Sequence, residues 1–159
     1  MAKAIPEGYH TITPYLTVRG AADAIAFYTR AFGAKEKERM TGPDGRSVMH
    51  AEMTIGDSVF MLSDEMPQAG TASPTTLKGS TAALFLYVPD VDAAFKRATD
   101  EGCKVVRPLA DMFWGDRFGQ VEDPFGHRWG LATHKEDVPP DEMKRRSDAF
   151  MASMAKGQK

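Results

Sequence analysis

The chain is written twice. "LTVRGAADAIAFYTRAFGAK" from Leu16 lines up with "LYVPDVDAAFKRATDEGCKV" from Leu86, and both copies read strand, turn, helix, glycine, strand. A duplication of this kind constrains the fold more than composition does, because each unit must bury its apolar face against its own helix or its sibling's. In the second copy Val91, Ala94, Phe95 and Ala98 fall at helical spacing, with Asp90 where an N-cap belongs and Gly102 where the helix should stop. In the first copy Ile25, Tyr28 and Phe32 make the stripe and Gly33 ends it. Strand-like segments follow each helix: "SVMHAEMTIG" and "SVFMLSD" in the first half, "CKVVRPL", "RFGQVED" and "HRWGLAT" in the second. Each half is therefore a βαβββ module, about residues 9–66 and 80–135 of a single domain spanning 1–135. Residues 67–79, rich in Pro, Gly, Ser and Thr, read as a linker. Residues 136–159 read as a C-terminal helical extension, with Met143, Phe150 and Met154 on a weak apolar face and an end expected to fray.

Strand alternation separates the two faces of each sheet. Leu16 and Val18 share one face, Thr13, Tyr15 and Thr17 the other. Ala51, Met53 and Ile55 alternate with His50, Glu52 and Thr54; Phe60 and Leu62 alternate with Val59, Met61 and Ser63. In the second module Leu84, Leu86 and Val88 alternate with Ala83, Phe85 and Tyr87, and Trp129 and Leu131 with Arg128, Gly130 and Ala132. The aliphatic face should carry the helices. The mixed face fits either an antiparallel sheet wetted on one side or a curved sheet closing on a ligand cavity. The aromatics Tyr15, Phe85 and Tyr87 favour the cavity, since a solvated face seldom carries three of them.

Composition closes off other classes. With 42% apolar and 26% charged residues and a net charge of -2, the chain has the make-up of a globular domain with no basic block for nucleic acid. The apolar run Ala82–Val88 is too short to cross a bilayer, and "MAKAIPEGYH" lacks the apolar stretch of a secretory signal. A lone Cys103, read as a small core residue, fits a reducing, cytoplasmic setting. "GPDGRS" is a hairpin turn, not a phosphate loop, and no Ser/His/Asp or Cys/His spacing offers a nucleophile with its base.

The doubled unit, with "FYTRAFGA" after the first strand and "DPFGHRW" before the last, resembles the vicinal oxygen chelate superfamily, which includes glyoxalase I, the extradiol dioxygenases and the bleomycin and fosfomycin resistance proteins. From about Thr11 to His134, "ADAIAFYTRAFGA", "GDSVFMLSDEMP" and "FWGDRFGQVEDPFGHRWGLATH" look most like its PhnB-like branch. The fold expected is thus α+β, two βαβββ modules forming curved mixed sheets around a cavity, helices outside, plus the C-terminal tail. Metalloenzymes of the superfamily hold a divalent ion with one side chain from each of four strands, usually His or Gln, Glu, His and Glu. Through the motifs those positions fall on Thr13, Met61, Ala83 and Gly130, and none is a competent ligand. No cofactor is expected at that place.

A divalent metal could instead be held by His50 and Glu52, two apart on one strand, with His134 or Asp116 as a third ligand; otherwise His50 and Glu52 form an acid–base pair. His127 is read as solvated beside its turn. Trp114 either closes the end of a sheet, with Asp116 and Arg117 paired across the turn, or covers the cavity and stacks on a planar ligand. Arg128, placed inward by parity, should meet Glu52 or an anionic group of the ligand. The expected binding residues are Thr13, Tyr15, His50, Glu52, Met61, Ser63, Phe85, Tyr87, Trp114 and Arg128. Two functions follow: a metal-free small-molecule-binding protein, or a lyase or isomerase using a relocated metal or the His50/Glu52 pair. The partners expected are a small ligand and a second copy in a homodimer, with neither nucleic acid nor membrane.

Overall fold

Alternation along the strands decides where the helices lie. In the computed structural model, which describes residues 2–156, the first module runs β1 (Tyr15–Val18), α1 (Ala21–Phe32), β2 (Lys35–Thr41), β3 (Val48–Ile55) and β4 (Ser58–Asp64). A short helix α2 (Pro74–Leu77) precedes the second module: β5 (Ala83–Tyr87), α3 (Val91–Asp100), β6 (Lys104–Asp111), β7 (Asp116–Glu122) and β8 (Arg128–His134). A last helix, α4, covers Pro140–Lys156. The sheets are ordered β1-β4-β3-β2 and β5-β8-β7-β6. In each, the first pair is parallel and the rest antiparallel, so both are mixed. Leu16, Val18, Ala51, Met53, Phe60 and Leu62 are buried, as are Trp129 and Leu131 in the second sheet. The α+β class and the doubled βαβββ order are as the sequence predicts.

The modules meet through their helical sides, α1 against α3, in one continuous core. Trp129, fully buried, lies 4.5 Å from the ring of Phe32 and 5.4 Å from that of Tyr28, so a residue of the second module plugs the first. Asp123, at the start of the "DPFG" turn, is 4% exposed and locks this joint. One of its oxygens accepts the backbone N–H groups of Phe125 and His127, both at 2.9 Å. The other accepts the Tyr28 hydroxyl and the Trp129 indole N–H, both at 2.8 Å. Four donors satisfy a carboxylate that burial would otherwise make costly. His127, expected in solvent, bridges the modules instead: its Nε2 lies 3.0 Å from the Thr17 carbonyl oxygen.

The two module helices start differently. Asp90 caps α3 locally, accepting the Ala93 N–H at 3.0 Å. At the start of α1 the N-cap is Gly20, with φ 89° and no side chain to offer. Asp64 of β4 supplies the cap, accepting the N–H groups of Gly20 and Ala21 at 2.9 and 2.8 Å.

Two local expectations need correction. The linker is not plain loop: it holds a 3-10 turn at Pro67–Ala69 and then α2, whose Thr76 accepts a hydrogen bond from Arg19 and donates one to Glu65. Pro at the first helical position and Ser73 at the N-cap start α2 despite the composition. Arg117 does not pair with Asp116; it reaches Asp92 and Asp111, because alternation along β7 sends the neighbours to opposite faces. The C-terminal tail is helical, as expected, and its apolar face is weak: no residue of it is buried, with Phe150 37% and Met154 52% exposed. The end expected to fray falls on 157–159, outside the described residues. Among the described residues no helix is long and apolar enough to cross a membrane.

Candidate functional site

The uncovered faces of the two sheets carry the polar and aromatic residues picked out by parity, and they form two clusters. On the first sheet the hub is Glu52 of β3. The Tyr9 hydroxyl donates to it, Lys37 Nζ lies 3.5 Å away and His50 Nε2 3.6 Å away. Tyr15 OH is 2.9 Å from His50 Nδ1, which extends the chain to β1. The hydrogen bond from Tyr9 holds the Glu52 carboxyl below its ordinary range, and the same bond pushes the Tyr9 phenol up. An open cavity of about 680 Å³ lies here, lined by Tyr9, Thr13, Lys37, Glu52 and Met61 and by residues 4–6.

The second cluster centres on Asp116, 4% exposed at the start of β7. It accepts hydrogen bonds from Tyr87 OH and Trp114 Nε1, both at 3.0 Å, and pairs with His134 Nδ1 at 2.8 Å. The other ring nitrogen of His134 lies 2.9 Å from Asp137, and the two carboxylates, Asp116 first, raise the imidazole pKa. Trp114 thus closes the end of the second sheet through a buried acceptor. Beside it the rings of Phe85 and Phe118 stack 5.2 Å apart at 4°.

The ten expected binding residues are therefore not gathered at one place in a single chain. Thr13, Glu52 and Met61 line the first cavity, with His50 beside them. Tyr15 and Phe85 share a second cavity of about 570 Å³ where β1 approaches β5. Tyr87 and Trp114 belong to the Asp116 cluster, and Ser63 is 2% exposed. Arg128 does not meet Glu52. It is half exposed on the second sheet, with Nε 3.6 Å from Glu122, because parity places a residue on a face without saying that two faces meet. His134 and Asp116 likewise stand on the other sheet from His50 and Glu52. Among the described residues no three His, Cys, Asp or Glu side chains are grouped to hold a metal ion.

Gly130, one of the positions the resemblance aligns with the superfamily's metal ligands, is closely packed. A Cβ there would stand 2.7 Å from Phe85 Cδ2 and 3.0 Å from Phe118 Cε2, so the stacked rings fill the space of a side chain. Gly130→Glu should accordingly cost about 1–3 kcal/mol through overpacking, read as a lower urea midpoint. Wild-type stability would show that the Phe85 ring swings clear.

Two members of the first cluster escaped sequence reasoning. Tyr9 precedes the first strand and has no periodicity to mark it. Lys37 reaches the open face because β2 carries an irregularity between Glu36 and Glu38, which breaks the alternation.

The family model for the glyoxalase/bleomycin resistance protein/dioxygenase superfamily matches residues 9–131. The chain belongs to that superfamily. An uncharacterized protein of Mycobacterium bovis is 43% identical over 149 residues, covering 92% of this chain and 95% of that protein. Among solved superfamily folds, a protein from Arabidopsis thaliana superposes with a TM-score of 0.64 at 29% identity, covering 78% of this chain and 98% of its own. A PhnB protein from Bacillus cereus does so at 0.60 and 22% identity, covering 78% and 99%, a likeness of fold alone.

Proposed function

We propose that the protein is a small-molecule-binding member of the superfamily that works without a metal ion. The observation that carries this is the set Thr13, Met61, Ala83 and Gly130 at the ligand positions, with the Phe85–Phe118 stack standing where the last ligand would project. A soft thioether, a methyl group, a hydrogen and one hydroxyl cannot compete for a hard divalent ion. Binding instead uses the mixed faces, where Tyr15, Phe85 and Tyr87 remain 49%, 48% and 64% exposed. That much uncovered aromatic surface supports a homodimer in which a second copy covers the faces. Buried Cys103 supports a reducing, cytoplasmic setting.

Thermal-shift screening of a metabolite library, with and without chelator, tests the reading. At least one compound should raise the melting temperature, and chelator should change neither the shift nor the baseline. A shift abolished by chelator and restored by one metal would overturn it. Light scattering should return twice the 17.4 kDa chain mass; a monomer at all concentrations would reject the dimer.

A second reading, proton transfer in a lyase or isomerase, is favoured by the chain Tyr15–His50–Glu52. There the imidazole would move the proton and the carboxylate would orient it. Turnover lost in His50→Ala while ligand binding persists would select this reading over passive binding.

A further inference from the structure

Residues 4–13 cross the open face of the first sheet without forming a helix or strand. Apart from Tyr9 this segment is largely exposed, and Gly8, at φ 81°, turns the chain so that Tyr9 points inward. Among the described residues, the side-chain hydrogen bonds tying it to the body all run through one phenol: Tyr9 OH donates to Glu52 and is 3.4 Å from Lys37 Nζ. The Lys37 ammonium also stands 4.5 Å from the centroid of the Tyr9 ring. A socket is thus complete around a guest belonging to the chain itself. It offers a carboxylate to accept an O–H, a cation over the ring face, and the cavity beneath.

We propose that Tyr9 is a displaceable plug, and that the cavity takes a neutral phenolic ligand whose hydroxyl and ring replace those of Tyr9 at Glu52 and Lys37. This rests on the small-molecule-binding reading and names the ligand class for it. Selectivity follows from the donors and acceptors. Glu52 accepts, so the guest must donate; a phenolate or an arene carboxylate would face Glu52 across the socket and be repelled. Lys37 cannot serve as a free anion hook, because Glu52 already stands beside it. Removal of Tyr9 costs the fold little, since no core residue packs in the segment that carries it.

The test uses p-cresol, the side chain of tyrosine as a free molecule, and its methyl ether 4-methylanisole, which has the ring without the donor. Calorimetry or NMR titration would compare the full-length protein with Tyr9→Ala. The expected result is p-cresol binding at least tenfold tighter to Tyr9→Ala than to the wild type, at least tenfold weaker binding of the ether, and loss of p-cresol binding in Tyr9→Ala/Glu52→Ala, which removes the acceptor. Tyr9→Phe, which keeps the ring and loses only the hydroxyl, should also bind p-cresol more tightly than wild type and supplies the result if Tyr9→Ala does not fold. Equal p-cresol affinity in wild type and either variant, or equal binding of cresol and ether, would overturn the proposal. If other compounds stabilise the protein while p-cresol gains nothing from removing Tyr9, the phenol inference fails and the metal-free binding reading stands. If p-cresol binds Tyr9→Ala only with a divalent ion, the metal-free reading fails and the plug remains.

Discussion

Asp123→Ala should lower the unfolding free energy by about 3–5 kcal/mol, because several buried donors lose their one acceptor together. The carboxylate serves four donors at once: two backbone N–H groups of its own turn, the Trp129 indole and the Tyr28 hydroxyl. Alanine leaves the buried indole and phenol with no acceptor, and each orphaned donor carries a penalty of roughly 1–3 kcal/mol. Burial pushes the Asp123 carboxyl up, so the site tolerates the charge only because those donors are present. Tyr28→Phe removes one donor together with its need and should cost about 1 kcal/mol. Urea unfolding of both variants checks this. A loss below about 1 kcal/mol for Asp123→Ala would mean that water replaces the carboxylate in the joint.

Trp129→Ala should cost a similar 3–5 kcal/mol by a different route. The indole is fully buried between Phe32, Tyr28 and Phe60, so its loss opens a cavity lined by residues of the other module. Those rings belong to a helix and a strand that cannot collapse inward without moving the joint. Since Trp129 and Asp123 share a hydrogen bond, the double variant should lose less than the sum of the single losses. Strict additivity in urea unfolding would reject the coupling.

Much of the fold was legible because duplication, helical stripes and strand parity are periodic signals. Val91, Phe95 and Ala98 on α3, and the alternation along β3, repeat the same physical requirement many times. The relation between the two sheets was not legible. Parity gives each residue a face of its own sheet, so it sent Arg128 and Glu52 to mixed faces but could not show that these lie on separate sheets. The "DPFGHRW" segment shows the same limit from the other side. Its Asp-Pro turn was readable locally, whereas the pairing of Asp123 with Tyr28, 95 positions earlier, leaves no local trace. For the same reason His127 read as a surface residue, although its partner is a β1 carbonyl. In the first cluster His50 and Glu52 were legible from two-residue spacing. Tyr9 was not, since a residue outside regular structure has no pattern to belong to.

The cap of α1 sets a timetable for synthesis. Its acceptor, Asp64, lies 44 residues downstream of Gly20. At roughly 5–20 residues per second, the ribosome takes roughly two to nine seconds to add that stretch. Through that interval the first helix emerges with its opening amides unanswered, whereas α3 carries Asp90 for the Ala93 N–H from the start and awaits Thr133, 42 residues on, only for the Val91 N–H. The duplicated halves therefore mature on partly different clocks: the earlier-made helix waits for its own fourth strand to answer both opening amides, and the later-made helix waits for β8 to answer only its first.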